Sequence, residues 1–386
     1  MKKIAYVLAD FPALSETFIG NEIRAMRRQG HEIVPIAMHL LDGPAQPEDR
    51  VLAAETASLG SIPSLPVLAT LLRPSRRWRE ALSWVMKQRS LSKRSLLWNA
   101  LKIAAVARRH GCTHLHAHFA GGATAHAIVA ARWIGATVSF IGHGHDIYSE
   151  PEDLVAKLAA ADFVVGTCDD MVDDFRSLVP AVQTARIACG TDVERFRPAN
   201  GNEPADTFLA IGRLVGQKGY EVLLEALARS RSGARIDVVG AGPLEAELKA
   251  MALSLGLGDR VTWLGPRPST WIAENGPRYL ALLAPFRMDP KGERDTSPVV
   301  IKEAMAMGLP VIATRFMGAK EMVVDGETGF WVEPSDVDGL AAAIDGVAAM
   351  EPARRRAMGL AGRRHIAEHF TLDIQSRELS ALVEAA

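Results

Sequence analysis

Short apolar runs rich in valine and isoleucine alternate along this chain with longer segments whose hydrophobic positions recur at helical spacing. A short run with little polar alternation fits a strand covered on both faces, as in a parallel sheet, and the helical segments supply the crossovers. The pattern predicts strands at 4–8, 32–37, 113–117, 137–141, 162–165 and 184–188 in the first half. In the second half it predicts them at 208–211, 235–239, 260–264, 280–283, 310–313 and 329–332. The weakest joint between the two sets is 197–206, RPANGNEPAD, a polar stretch rich in Pro, Gly and Asn. Two Rossmann-like α/β domains facing each other across a cleft is the simplest arrangement, with expected domains at 1–197 and 207–365. The last segment, 366–386, has helical period and is expected to pack back on the first domain.

With 386 residues, 48% of them hydrophobic, the chain can bury two cores and is not of the disordered class. No apolar run reaches the roughly 18–20 residues a membrane span needs, and the N-terminus runs directly into a strand, so a cytoplasmic protein is expected. Cys112, Cys168 and Cys189 are too few and too scattered for a disulfide framework or a zinc site.

A net charge of −1 hides one local asymmetry. Residues 73–109 hold eleven Lys or Arg against a single acid, Glu80, interleaved with Trp78, Trp84 and Trp98. A basic helix carrying aromatic residues can lie on an anionic membrane surface, which would place the protein peripherally on the inner face of the cell membrane. A solvated helical face whose tryptophans belong to the core is the other reading. Nucleic acid is not an expected partner, because the chain has no basic stripe or base-reading module elsewhere.

The densest chemistry lies at 297–314, SPVVIKEAMAMGLPVIAT. Ser297 suits an N-cap, Pro298 the first helical position and Gly308 the stop before a buried strand. The free amides near Val299 and Val300 and the positive helix end would face a phosphate. Glu303, roughly 7–8 Å along the axis, leans back toward that opening, and Asp295 precedes the cap. This acid-x7-acid pair could hold hydroxyls on either side of a diphosphate, the outline of a nucleotide-sugar pocket. Earlier, Gly212 to Gly219 (GRLVGQKG) follows a strand, so its glycines allow close approach to a ligand while Arg213 and Lys218 supply two cations. A second turn, with Gly240 and Gly242, ends the next strand.

The first half carries histidines in two places. His114, His116 and His118 alternate and would share one face of a strand; a metal site is conceivable there, but a strand ending in the cleft explains them better, with His118 nearest its carboxyl end. His143, His145 and Asp146 follow the next strand.

Together these residues resemble the retaining family-4 glycosyltransferases of the GT-B fold. The motifs run along nearly the whole chain: FPALSETFIGNEI at 11–23, HLHAHFA at 114–120, FIGHGHDIY at 140–148, CGTDVERFRP at 189–198, GRLVGQKG at 212–219, and 295–332. The first and fourth look most like the colanic-acid type of exopolysaccharide enzyme.

The resemblance implies that Arg213 and Lys218 hold the donor diphosphate, that Asp295 binds sugar hydroxyls and Glu303 the nucleotide ribose, and that Gly212, Gly242, Ser297, Val299 and Val300 line the donor site. His143 is placed beside the donor sugar, with Asp146 steadying the loop or the imidazole and His145 as the alternate. Thr296 and Ser297 stand where the family often has Gly and a small or apolar residue. The glycine-rich loop usual after the first strand is absent, with Ala9-Asp10-Phe11-Pro12 and Ser15-Glu16-Thr17 in its place; Ser15, Glu16, Thr17, His118, His145 and Asp146 are expected on the acceptor or cleft side. The expected partners are a nucleotide sugar and a glycan or lipid-linked acceptor; no metal or cofactor is expected. A nucleotide-sugar epimerase, a phosphorylase carrying pyridoxal phosphate and a non-catalytic nucleotide-sugar-binding protein share such domains and are the rival readings.

Overall fold

The apolar runs pair into two all-parallel sheets. In the first, β1 (Lys3–Phe11), β2 (Glu32–Leu40), β3 (Ala57–Ser58), β4 (His114–His118), β5 (Thr137–Ile141), β6 (Phe163–Gly166) and β7 (Thr184–Arg186) lie in the order β3-β2-β1-β4-β5-β6-β7. In the second, β8 (Thr207–Ile211), β9 (Arg235–Val239), β10 (Val261–Gly265), β11 (Leu282–Ala284), β12 (Val311–Thr314) and β13 (Gly329–Val332) follow the order β10-β9-β8-β11-β12-β13. These elements come from a computed structural model that describes residues 1–13, 16–43, 45–199 and 206–386. Each predicted strand is present, those at 137–141, 235–239 and 329–332 with the predicted ends and the others with ends moved by one to three residues. The two-residue β3 was not predicted, being too short to carry a period.

The chain divides into two units, Met1–Ala188 with Leu372–Ala386, and Cys189–Thr371. The division falls before the polar stretch 197–206, most of which lies outside the described residues. Residues 189–198 are tied to the second unit: Thr191 bridges Thr371, and the Arg363 guanidinium donates to the carbonyls of Val193 (3.1 Å) and Phe196 (2.9 Å). Composition marked a loop there, but the hydrogen bonds place the crossing earlier.

The segment expected as one terminal helix is two pieces. The helix Pro352–His369 stays in the second unit, whereas Leu372–Ala385 belongs to the first. Leu379 and Val383 of that last helix are buried in one cluster with Ile4, Tyr6, Ile19 and Ile23.

In both sheets the strand order reverses beside the central strand, between β1 and β4 and between β8 and β11. Connections leaving the carboxyl ends of such neighbours run in opposite directions and leave a crevice there, the usual ligand position in open α/β sheets. The loops after β1, β4 and β5, and after β8, β9 and β11, carry the residues of interest.

The basic segment forms parts of the helices Trp78–Lys87 and Lys93–His110. Trp84 is buried and donates from Nε1 to the Ala156 carbonyl, so it serves the core. Exposed apolar side chains lie just before the basic run, on Ser64–Leu71 and its end, where Leu65 is 78% and Leu72 80% exposed, and within it at Met86 and Trp98. Among the described residues no helix is long and apolar enough to cross a membrane.

Candidate functional site

In the second unit, the chain leaves β8 through Gly212 and makes a short helical turn, Gly216–Lys218. Gly219 follows at φ 68°, where a Cβ would lie 2.0 Å from the Pro285 carbonyl oxygen; only glycine fits. This turn aims the Lys218 side chain back over Gly212, where an added Cβ would approach it to 3.2 Å. Lys218 Nζ meets Asp295 Oδ2 at 2.5 Å and stands 4.4 Å from the centre of the Phe286 ring. Its side chain is only 13% exposed, so the ammonium is held in place by a carboxylate and an aromatic face. Arg213 is exposed, with no side-chain hydrogen bond or ion pair among the described residues. Gly242 serves loop packing: a Cβ there would lie 2.5–2.6 Å from the backbone oxygen and nitrogen of Leu214.

The helix near Asp295 begins one residue later than expected, at Val299, and runs to Ala306. Pro298 takes the cap seat at φ −62° and ψ 106°, and Ser297 makes no capping bond to the helix amides. The reason is Lys302: it is wholly buried, and its ammonium donates to Ser297 Oγ at 2.9 Å. A buried cation requires an acceptor more urgently than a helix end requires a cap. The amides of Val299 and Val300, both half-buried, have no backbone acceptor among the described residues. At the other end Gly308 adopts φ 76° and closes the helix as expected.

Glu303 is half-buried, and burial pushes its carboxyl up to about 7 against the opposing charges of Lys302 and Arg195. Arg195 itself donates to Ser269 Oγ at 2.7 Å. The second unit thus brings together a fixed cation, an acid bound to it, a helix opening with a buried ammonium behind it, and a carboxyl poised near neutrality.

In the first unit, Ser15 lies outside the described residues; Glu16 and Thr17 open the helix Thr17–Arg28. His118 ends β4 fully buried, and its Nδ1 lies 3.0 Å from His143 Nε2. The His143 ring packs against Phe18 and Phe119, with centroids 4.5 and 4.6 Å away. Burial, then the neighbouring His118, holds the His143 imidazole well below its usual range. Asp146 steadies the loop backbone: it accepts from the amides of Ala120 (2.6 Å), His143 (3.0 Å) and Gly144 (3.0 Å). Burial raises the Asp146 carboxyl although these amides pull the other way. His145 is exposed, 3.6 Å from Glu150. His143, packed at the end of the sheet, therefore suits a defined role better than His145.

Sequence reasoning missed the centre of this cluster. Glu22, wholly buried, accepts from Tyr6 Oη (3.0 Å) and from Gln375 Nε2 (2.7 Å), and lies 3.1 Å from His118 Nε2. Burial alone would raise its carboxyl, but His118 and His116 outweigh that and hold it well below the usual range. A signal existed: Glu22 occupies the core face of its helix, among buried Ile19, Ile23 and Met26. Gln375 carried none, because only the tertiary fold brings it near. His114 bonds to the hydroxyls of Thr137 (2.7 Å) and Ser139 (2.8 Å), so the three alternating histidines do not converge on one point.

The two parallel-sheet units have the GT-B fold, and the chain is similar to glycosyltransferases. Residues 192–365 match the family of glycosyl transferases, group 1. Over 99% of its length the chain is 25% identical to 99% of the putative colanic acid biosynthesis glycosyltransferase WcaL of Salmonella typhimurium, and 26% identical to the whole of that from Escherichia coli. A GDP-mannose-dependent phosphatidylinositol monomannoside mannosyltransferase of Mycolicibacterium smegmatis is 34% identical over 51% of each chain. Among solved structures, Anabaena HepE in complex with UDP superposes over 100% of both chains with a TM-score of 0.74 at 16% identity. The sucrose-phosphate synthase of Thermosynechococcus elongatus covers 100% of this chain and 99% of its own, at 0.70 and 21%.

Proposed function

We propose that this protein transfers a sugar from a nucleoside-diphosphate donor to a glycan or lipid-linked acceptor in the assembly of a bacterial surface polysaccharide, with retention of anomeric configuration and without a metal. The observation that carries the proposal is the Lys218 ammonium, held 2.5 Å from Asp295 beside the loop leading to the open amides of Val299 and Val300. Cleaving a glycosyl phosphate develops negative charge on the departing diphosphate, and fixed cations and amides stabilise that charge without reorganising. In this reading Lys218, Arg213 and the helix opening hold the diphosphate, Glu303 holds the ribose, Asp295 orients Lys218 and binds sugar hydroxyls, and His143 attends the donor sugar. WcaL and the mannosyltransferase, whose names speak of colanic acid biosynthesis and of phosphatidylinositol monomannoside, support the acceptor class.

Retention follows from a front-face transfer, in which a donor phosphate oxygen takes the proton of the acceptor hydroxyl as the new glycosidic bond forms on the face the diphosphate leaves. With an α-linked donor, the product linkage should be α by its anomeric coupling in NMR, and transfer should persist in EDTA. A β product, or activity lost in EDTA and restored by a divalent cation, would contradict the mechanism. Donor turnover with no acceptor present, giving an isomeric nucleotide sugar, would point to an epimerase.

The exposed leucines of Ser64–Leu71 beside the basic run form a surface for an anionic bilayer, where apolar side chains enter the interface and lysines and arginines meet headgroups. A lipid-linked acceptor would be met there.

A further inference from the structure

The turn that carries Lys218, Gly216–Lys218, closes on itself through the Lys218 amide to the Val215 carbonyl (3.1 Å) and the Gly219 amide to the Gly216 carbonyl (3.2 Å). So short a turn has little stiffness of its own. The segment after β11 braces it. The Arg287 amide donates to the Gln217 carbonyl at 3.0 Å, and Arg287 Nε donates to the Gly216 carbonyl at 3.1 Å. The same guanidinium places Nη2 3.4 Å from Glu221 Oε2, at the start of the helix Tyr220–Arg229 that follows the turn. One side chain thus spans the turn from its first carbonyl to the helix beyond. Its neighbours complete the seat, since the Phe286 ring lies against the Lys218 ammonium and Asp295 accepts from it.

We propose that Arg287 is a positioning residue: its guanidinium clamps the turn Gly216–Lys218 so that the Lys218 ammonium is in place before a diphosphate arrives. The diphosphate rests on the function proposed above; the clamp does not. Arginine suits the task because its planar fork meets a carbonyl and a carboxylate at once, whereas a lysine ammonium is a single point charge on a flexible stem. The Arg287 side chain is only 25% exposed, so both contacts are partly sheltered from water. All of these groups belong to the second unit. A cation fixed in this way stabilises developing charge without reorganising.

The substitution Arg287→Ala removes the side-chain clamp and keeps the backbone bond to Gln217, so the fold should hold. Amide hydrogen exchange reads the clamp itself: residues 215–220 should exchange at least about tenfold faster than in wild type while β8 and β11 keep their protection. Calorimetric titration with UDP, GDP, ADP, CDP and dTDP reads the consequence. For the diphosphate that wild type binds best, Arg287→Ala should weaken affinity about tenfold, and Lys218→Ala by at least as much. Added to Lys218→Ala, the Arg287→Ala substitution should cost less than about a further twofold, because the clamp then has no ammonium to place. A side chain that only supports the fold, or one that touches phosphate itself, would give additive losses. Arg287→Lys should fall between wild type and Arg287→Ala in both measurements, and it carries the same test if the alanine variant does not fold.

Unchanged exchange in the turn, unchanged affinity in Arg287→Ala, or additive losses in the double variant overturns the proposal. Faster exchange in the turn, with no affinity of the wild type for any of these diphosphates, leaves the clamp standing and refutes the donor reading.

Discussion

A cation useful against a diphosphate must be in place before the donor arrives, and Lys218 meets that condition because Asp295 and the Phe286 ring already hold it. Lys218→Ala should lower transfer by about a hundredfold or more while the thermal midpoint stays within a few degrees, since its stem is not part of a hydrophobic cluster. Steady-state kinetics beside a melting curve check both. Glu303 supplies a pH test with two opposite signs. Its carboxyl titrates near 7 in the folded protein against 4.5 when unperturbed, so the folded state holds the extra proton between those values. That contribution to stability is complete below 4.5 and is lost as pH rises through 7, a difference of roughly 1–3 kcal/mol. Donor affinity should move the other way and strengthen as pH rises through 7, because ribose hydroxyls donate best to the carboxylate. In Glu303→Gln both slopes should flatten relative to wild type, as followed by melting and by calorimetric titration across pH 5–8. Unchanged slopes would separate Glu303 from donor binding.

At the scale of elements, the loops at the carboxyl ends of β8 and β9 work as a pair because they touch backbone to backbone. Gly242→Ala would drive a Cβ to within 2.6 Å of Leu214, forcing the loop that carries Arg213 and Lys218 to shift. The expected result is lost donor binding with an intact far-UV spectrum. The strands were legible because a strand buried on both faces has an unbroken apolar run, and Gly308 because a helix stop needs positive φ. Ser297 was misread as a cap because capping is judged from neighbours in sequence, whereas its hydroxyl is claimed by Lys302 a turn further on. In the basic segment the charge was plain, whereas only the fold shows that Trp84 goes to the core while Trp98 stays exposed. Replacing Leu65, Leu68 and Leu72 by serine should abolish co-sedimentation with vesicles containing phosphatidylglycerol while leaving soluble-acceptor turnover unaltered. Binding that survives would place the lipid contact elsewhere.

Over the whole molecule, the chain crosses between units twice, after Ala188 and after Thr371, so the last helix completes the core of the first unit. Ending the chain at Thr371 would remove Leu379 and Val383 from that core and Gln375 from Glu22. Loss of two large buried side chains and a charged hydrogen bond exceeds about 5 kcal/mol, enough to unfold a typical domain. Such a truncation should show the first unit exchanging its amide hydrogens rapidly while β8 to β13 remain protected; uniform protection would contradict the division. The bond between Gln375 and Glu22 was invisible in sequence because 353 residues separate its partners.

The central claim is that the second unit grips a departing diphosphate so that a sugar can move to an acceptor. Radiolabelled nucleotide sugars incubated with the protein and a bacterial membrane lipid extract test it directly. Wild type should carry label into the lipid or glycan fraction and release nucleoside diphosphate in equal amount, and Lys218→Ala should do neither. Label that stays with the nucleotide for every donor, or equal transfer by Lys218→Ala and wild type, would contradict the account.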